Sequence, residues 1–311
     1  MKTPNLFIVG HPRNGTSSLH DYLKQHPDIF MSPIKEPNYF ARDFHDESDR
    51  FHQKALYFPY RTKARYLKLY KNWTNEKIAG EASATSLYSK ISAKEMYSLN
   101  EKSKVIMSFR EPVSFLFSYH STAIFSLGED IKDFRQALSA EPQRIKGHKL
   151  SKRVITPSWL FYSQFIEYSQ QLKRFSALFG KDQVKVLIFD DFKRDPAKIY
   201  REILSFLDVD PNFVPDFTVV NPYKKSVKWP KLKYLLFDSP YFRKLQHFIF
   251  PDSIYARLVQ YYKKMILVEE PKQTLDPALK KELMLKFKIE VEKLSDVLQR
   301  DLMTLWGYNE I

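Results

Sequence analysis

Residues 5–23, "NLFIVGHPRNGTSSLHDYL", contain the pattern that decides the fold. The first six residues form a short apolar run bounded by a glycine, which is typical of a buried strand. Leu19 and Leu23 then recur at helical spacing, and Pro27 indicates that this helix ends close by. A strand, a glycine-containing loop and a helix in this order predict a loop that binds an anion through the N–H groups at the helix start.

The loop differs from a nucleoside-triphosphate loop at one position. Gly10 and Gly15 have the spacing of the G-x-x-x-x-G-K-[ST] pattern, but Thr16 stands where that pattern has its lysine. Arg13 is then the nearest cation, and Ser17 still provides a hydroxyl. This combination predicts a phosphate-like anion that has no γ-phosphate and needs no bridging metal. A plain strand-to-helix turn, in which Gly15 supplies backbone freedom, is the alternative.

Further strands and helices alternate along the chain. Near-continuous apolar runs predict strands at 77–83, 104–109 and 184–189. Helical patterns lie at 112–125, 158–179 and 196–207. Asp276 and Pro277 begin a last helix with one apolar stripe. The alternation predicts the α/β class, as a P-loop-like three-layer fold with a central parallel sheet flanked by helices.

The composition limits the organisation and the chemistry. The chain has 311 residues, 43% of them hydrophobic, and no linker or repeat divides it. We therefore expect a single domain over 1–311, with a ligand-binding core at about 5–210 and loop insertions and C-terminal helices at about 211–311. The absence of cysteine excludes disulfides and thiolate chemistry, and the histidine spacing predicts no metal site. No apolar run approaches the roughly 20 residues of a spanning helix, so we expect no transmembrane segment and a cytoplasmic location.

Lys35 and Glu36 follow the first predicted helix. If the chain brings them to the loop, Glu36 is a candidate general base for an attacking hydroxyl or amine. Lys35 would then offset the charge that develops on the transferred group. An ordinary surface ion pair is the alternative.

Arg110 and Ser118 form a second candidate anion site. Arg110 follows the strand at 104–109, at the end where α/β sheets bind ligands. Ser118 lies about two helical turns further along the next helix. Together they predict a clamp on a second phosphate, with Arg110 in bidentate contact. An arginine bound to a carboxylate network is the alternative.

These three stretches, in this order, resemble the motifs of the PAPS-dependent sulfotransferases, bacterial members and carbohydrate- or heparan-sulfate-type relatives included. PAPS is 3′-phosphoadenosine 5′-phosphosulfate. "PRNGTSSL" at 12–19 is similar to the family's 5′-phosphosulfate loop, P-[RK]-x-G-T-[ST]-[ST]-L. "HPDIFMSPIKEPNYF" at 26–40 resembles its base-containing segment, and "FREPVSFLFSYH" at 109–120 resembles its 3′-phosphate motif. Weaker similarity at 168–172, "YSQQL", and at 298–308, "LQRDLMTLWGY", extends the resemblance over most of 5–210 and the C-terminus.

The resemblance implies a role for each motif. The donor is PAPS, the product is adenosine 3′,5′-bisphosphate (PAP), and no metal takes part. Glu36 is the implied general base, with Lys35 and Arg13 as further catalytic residues. The implied donor contacts are Arg13, Asn14, Gly15, Thr16, Ser17 and Ser18 at the 5′-phosphosulfate, and Arg110 and Ser118 at the 3′-phosphate.

The sequence departs from the family pattern at two places. Heparan-type enzymes have Glu-Lys-Ser/Thr on the second predicted strand, whereas Ala82 replaces that lysine here and argues against a heparan-like acceptor. The Lys-Gly loop near the family's C-terminus is not matched, and the lysines around residue 225 are its candidate substitute. The candidate contacts to substrate or 3′-phosphate are His11, Glu81, Ser83, Lys224 and Lys225. His120 is a secondary candidate base.

The acceptor is the least determined part of this reading. The net charge of +14 favours anionic partners, although a solvated lysine surface explains it equally well. The resemblance favours a hydroxyl or amine on a glycan or glycolipid, with a lipid, polyketide or small-molecule alcohol as the runner-up. Two other classes stay open: an NTP-dependent P-loop enzyme with Asp190 and Asp191 at a metal, and a non-catalytic polyanion-binding protein. No nucleic-acid recognition motif is present, so nucleic acid is not an expected partner.

Overall fold

The computed structural model describes residues 3–126, 128–218, 225–227, 267–269 and 274–311. Its centre is a five-stranded parallel sheet with the order β2-β3-β1-β4-β5. The strands are β1 Leu6–Val9, β2 Ile29–Met31, β3 Ile78–Ala82, β4 Lys104–Phe109 and β5 Val184–Ile188. A separate antiparallel pair joins β6 Lys225–Val227 to β7 Leu267–Glu269.

Helices follow the strands and cover the sheet. Those that the structure describes are α1 Thr16–Leu23, α2 Arg42–His52, α3 Lys63–Leu67, α4 Ser92–Leu99, α5 Pro112–Phe125, α6 Phe134–Ser139, α7 Glu141–Ile145, α8 Tyr168–Phe179, α9 Phe189–Arg194, α10 Pro196–Leu207, α11 Pro277–Leu298 and α12 Leu302–Leu305. Short 3₁₀ turns lie at Lys68–Tyr70, Ala84–Leu87, Pro157–Leu160, Tyr162–Ile166 and Tyr308–Glu310. Within these described ranges, no helix combines the length and apolar character needed to cross a bilayer.

Strands β1, β3 and β4 are buried on both faces, as the near-continuous apolar runs predict, whereas the edge strand β5 is half-buried at 184–186. Successive side chains of a strand point to opposite faces, so β1 contributes to two separate cores. Leu6 and Ile8 pack in a core with α1 and α10. Phe7 and Val9 pack in a larger core with α5, α8 and α11. The sheet is therefore the middle of three layers.

Most predicted elements are confirmed, and three details differ. β2 was not predicted, because three residues are too few to show a periodic pattern. The helical pattern at 158–179 resolves into two 3₁₀ turns before α8, at Pro157–Leu160 and Tyr162–Ile166. α1 ends at Leu23, since the N–H groups of Gln25 and His26 already turn back to the carbonyls of Tyr22 and Leu23.

A buried ion pair orders the long connection between α5 and α8. Arg144 of α7 donates two hydrogen bonds to the Glu129 carboxylate, at 2.8 and 2.7 Å, and neither side chain is accessible to solvent. The Tyr162 hydroxyl donates a third hydrogen bond to Glu129, at 2.7 Å. Both oxygens of the Glu129 carboxylate therefore accept hydrogen bonds. These bonds join the connection between α5 and α8 to the main core, which includes Tyr162.

The cost of breaking this pair is testable. Arg144→Met should lower the free energy of unfolding by about 3–5 kcal/mol, because it leaves the Glu129 carboxylate buried without its cation. Chemical denaturation of wild type and variant measures the difference. Arg42→Met is the matched control: its partner Glu95 lies at the surface, so its loss should cost at most about 1 kcal/mol. Equal small effects of both substitutions would contradict the assigned role.

Candidate functional site

The loop between β1 and α1 lies at the carboxyl edge of the sheet, between the ends of β3 and β4. Gly15 caps α1 in the left-handed region, with a φ of 83°. Arg13 is also left-handed, with a φ of 72°, and its side chain is exposed. No side chain caps the helix start, and its first turn contains no acidic residue. The first N–H groups of α1 therefore have no partner within the helix, and their partial positive charge favours an anion.

The end of β4 holds the loop in place. The Asn14 side-chain amide donates to the Ser108 carbonyl at 3.3 Å, and the Ser108 hydroxyl donates back to the Asn14 carbonyl at 2.6 Å. Gly10 has no room for a side chain, because a Cβ there would lie 3.0 Å from the Ser108 carbonyl oxygen. Asn14 is fully buried, so its contacts support the loop's shape.

His11 lies beneath the loop. The ring is fully buried, and it stacks on Phe115 with a centroid distance of 4.9 Å. Its Nε2 lies 2.9 Å from the side-chain oxygen of Gln171. Burial lowers the pKa of His11 to about 3, so the imidazole is neutral at physiological pH. These contacts place His11 in packing at the strand end, and a sulfate contact stays a prediction.

β2 brings Lys35 and Glu36 to the same edge. The Lys35 ammonium contacts the Ser17 hydroxyl at the start of α1. The Glu36 N–H donates to the Ala82 carbonyl at 2.9 Å, and the Ala84 N–H donates to the Glu36 carboxyl at 2.9 Å. Sequence-distant residues of the loop, the β2 end and the β3 end thus meet, as the general-base prediction requires.

Glu36 has a carboxyl group suited to proton transfer. Glu36 as a residue is exposed to solvent, whereas its carboxyl end is closely surrounded by protein atoms. This local desolvation raises its pKa to about 7, while Lys35 and the Ala84 N–H act in the opposite direction. A carboxyl group that titrates near neutral pH and keeps access to solvent can accept a proton from a bound substrate.

A polar network holds the strained turn that carries Glu36. Glu36 and Asn38 are both left-handed, with φ values of 55° and 52°. The Asn38 N–H donates to the Ser83 hydroxyl at 3.1 Å, and that hydroxyl donates to Glu81 at 2.7 Å. His45 contacts the Asn38 carbonyl at 2.8 Å. Glu81 and Ser83 therefore support the turn, rather than being displayed towards solvent.

Glu81 is a second perturbed carboxyl group beside Glu36. It is buried, and its Oε1 finds no hydrogen-bond partner in the described part of the chain. Burial raises its pKa to about 8, the Ser83 hydrogen bond opposes that shift, and the nearby charge of Glu36 reinforces it. Burial therefore favours the protonated form of Glu81, beside a Glu36 carboxyl whose pKa is also raised.

Arg110 approaches the loop from the other side, at the end of β4. Its guanidinium donates to the Arg13 carbonyl at 3.3 Å and lies 5.0 Å from the centre of the Phe189 ring. The Tyr168 hydroxyl donates to the Arg110 carbonyl at 3.0 Å and so fixes its backbone. Ser118 is half-buried on α5, and its hydroxyl makes no hydrogen bond with the described residues. Both side chains are accessible to a ligand.

The remaining predicted residues fall into three groups. Thr16, Ser17 and Ser18 form the first turn of α1, as expected for donor contacts. His120 is buried with its Nε2 2.9 Å from the Ile131 carbonyl, and burial lowers its pKa. The side chains of Lys224 and Lys225 lie outside the described residues.

Asp190 and Asp191 already have side-chain partners. They are the candidate metal ligands of the NTP-dependent alternative. Trp306 donates to Asp190, and Arg194 and Arg300 pair with Asp191. In the described ranges, no group of three or more His, Cys, Asp or Glu side chains is placed to hold a metal ion.

Sequence reasoning missed the supporting residues. His45 lies in no motif, and Asn38 lies in the segment at 26–40 without a role predicted for it. Only tertiary contacts reveal what the two residues do. Gln171 and Trp306 lie in the two segments of weaker resemblance, at 168–172 and 298–308, but the resemblance implied no role for either residue. In the described part of the chain, N–H and hydroxyl donors and the cations Arg13, Lys35 and Arg110 lie around the start of α1, with the Glu36 carboxyl group beside them. Such a site can bind a multiply charged anion and remove a proton next to it.

Comparisons with known proteins identify the family of the chain. A sequence model described as "Sulfotransferase family" matches residues 4–213. Bifunctional heparan sulfate N-deacetylase/N-sulfotransferase 4 of Mus musculus is 23% identical over 219 residues, which are 68% of this chain and 23% of that protein. Carbohydrate sulfotransferase 15 of Mus musculus is 21% identical over 249 residues, covering 67% of this chain and 44% of that protein. The chain spans less than half the length of these relatives.

A solved structure of similar extent supports the fold. The crystal structure of a sulfotransferase from Alicyclobacillus acidocaldarius is 27% identical, with a TM-score of 0.71 over 99% of this chain and 100% of that one. This likeness confirms the predicted P-loop-like fold. Because the family model covers all five parallel strands, the loop and Arg110, the chain belongs to the sulfotransferase family.

Proposed function

We propose that this protein transfers a sulfuryl group from PAPS to a hydroxyl or amine of an acceptor, with Glu36 as the general base. One observation carries the proposal: a lysine-free phosphate loop has Glu36 and Lys35 on its β2–β3 side and Arg110 on its β4 side. One anion site at the helix start and a second at Arg110 match a donor with phosphate at both its 5′ and 3′ ends. The family membership supports the same donor.

The residues divide the reaction between them. The start of α1, with Arg13 and the Ser17 hydroxyl, holds the 5′-phosphosulfate. Glu36 takes the acceptor proton while the acceptor oxygen or nitrogen forms a bond to sulfur. The bond between sulfur and the 5′-phosphate oxygen breaks, and its electron pair leaves on PAP. Lys35 offsets the charge that develops on the transferred group and the leaving phosphate, so catalysis rests on positioning and electrostatics.

Arg110 and Ser118 hold the 3′-phosphate in this proposal. The guanidinium is anchored by the Phe189 ring and the Arg13 carbonyl. Its remaining N–H donors have no hydrogen-bond partner among the described residues and suit bidentate contact with a phosphate. Lys224 and Lys225 remain candidates for the same phosphate or for an acidic acceptor. The predicted single domain, with its donor-binding core at about 5–210, is part of the proposal.

For the acceptor we propose a glycan or glycolipid. Two relatives named for heparan sulfate and carbohydrate sulfation support this class, as does the net charge of +14. Ala82 in place of the heparan-type lysine argues for an acceptor other than heparan itself. A lipid, polyketide or small-molecule alcohol is the second candidate.

Donor binding is the first test. Calorimetric titration of wild type with PAP, without metal, should give micromolar binding, and Arg110→Ala should weaken it by at least about 1.5 kcal/mol, or about tenfold. Arg201→Ala, at an exposed position on α10, is the matched control and should leave the affinity unchanged. Absence of PAP binding together with Mg²⁺-dependent ATP binding would overturn the sulfotransferase mechanism proposed for this chain.

The general base is tested by turnover. Glu36→Gln should reduce sulfate transfer from labelled PAPS at least about a hundredfold while PAP still binds, because the amide cannot accept the proton. Oligosaccharides, lipids and simple alcohols form the acceptor panel. Glu292→Gln, on the exposed face of α11, is the control. Turnover that survives in Glu36→Gln would move the base to another residue.

The pH dependence follows from the same group. Glu36 acts as a base only when ionised, and its pKa is raised to about 7. Transfer by wild type should therefore fall as the pH drops through about 7 and level off above it. The profile of kcat/KM against pH measures this. A profile that stays flat down to the ordinary carboxyl range would exclude Glu36 as the titrating base.

A further inference from the structure

Two acidic side chains, Glu111 and Asp190, act on Arg110 through their charge, and Asp191 is the next residue after Asp190. Glu111 is the next residue in the chain, and Asp190 and Asp191 follow the end of β5, which pairs with β4 up to Phe109 and Ile188. A site that binds a phosphate through Arg110 has to prevent these carboxylates from occupying the guanidinium first. The neighbouring negative charges raise the pKa of Arg110, those of Asp190 and Glu111 most strongly, although burial has the larger, opposite effect.

The C-terminal segment 300–308 engages all three acids. The Trp306 indole N–H donates to Asp190 Oδ2 at 2.9 Å. The Tyr308 hydroxyl donates to Glu111 Oε1 at 2.8 Å, and Arg300 pairs with Asp191. Glu111 and Asp191 have further partners: Glu111 caps α5, and Asp191 also binds Arg194.

Asp190 is the acid that matters most for Arg110. Its carboxylate has one hydrogen-bond partner in the described residues, the buried Trp306. Arg110 forms no ion pair with a described carboxylate, even though the charge of Asp190 acts on it. Asp190 follows Phe189, whose ring centre lies 5.0 Å from the guanidinium. A free aspartate at this position would tend to form a bidentate pair with the guanidinium, and an incoming phosphate would then have to displace it.

We propose that Trp306 is a positioning residue that holds Asp190 away from Arg110 and thereby keeps the guanidinium available to the 3′-phosphate. The inference rests on the proposed function, since it assumes that Arg110 binds that phosphate. It assigns to the C-terminal segment a part in donor affinity, although Trp306 itself is buried and does not contact the donor. We expect Trp306 to affect the binding of the 3′-phosphate only, and not of the rest of the donor.

A double-mutant cycle tests this inference. Calorimetric titration with PAP is made on wild type, Trp306→Phe, Asp190→Asn and the double variant. Trp306→Phe should weaken PAP binding about tenfold, because the released Asp190 carboxylate competes for Arg110. Asp190→Asn should bind PAP as well as wild type or slightly better, and the double variant should return to within about threefold of wild type.

Each other outcome is decisive. A double variant as weak as Trp306→Phe would mean that the indole only supports the fold, and unchanged affinity in Trp306→Phe would remove the role altogether. Titration with adenosine 5′-phosphate, which lacks the 3′-phosphate, is the ligand control: Trp306→Phe should not alter its affinity, and an equal loss would overturn the inference. If wild type itself fails to bind PAP, the proposed function fails with it, which separates the two cases.

Discussion

The reciprocal hydrogen bonds between Asn14 and Ser108 are the contact on which the rest of the site depends. They join the loop after β1 to the end of β4. The two segments approach each other so closely at Gly10 that no side chain would fit between them. The loop contains the left-handed Arg13, a conformation that a non-glycine residue adopts only when its surroundings enforce it. With the loop held in this way, the first N–H groups of α1 face the edge of the sheet where the other strand ends converge.

The order of the strands determines which side chains reach the loop from each side. β1 is central, so the β2–β3 side and the β4–β5 side each contribute to the loop from one direction. The first side brings a base and a lysine, and the second brings an arginine on an aromatic ring. In the proposed function, a donor with two charged ends contacts both the helix start and Arg110, while Glu36 accepts the proton of the acceptor. The proposed base and the proposed 3′-phosphate site then lie on opposite sides of β1.

Charge control is the second theme of the structure. Carboxyl groups lie close to both functional side chains, and each is restrained by a specific donor. Glu81 is buried against Ser83 beside Glu36, and burial raises its pKa and so favours its neutral form. Asp190 is held by Trp306 beside Arg110. Without such restraints, the same carboxylates would repel the donor phosphates or neutralise the cations that bind them.

The sequence by itself determined the fold class, the loop, and the residues Glu36, Arg110 and Ser118 as candidates, because periodicity and motif spacing are local properties of the chain. It did not reveal β2, whose three residues are too short to show a pattern, although β2 is what carries Lys35 and Glu36 to the loop. Only the tertiary structure decided that Asn38, Ser83 and Glu81 hold the Glu36 turn, and that Trp306 binds Asp190. The Asn38–Ser83 and Trp306–Asp190 contacts join residues 45 and 116 positions apart. Such pairings depend on the order of strands in the sheet and on the docking of the C-terminal segment, which no local pattern encodes.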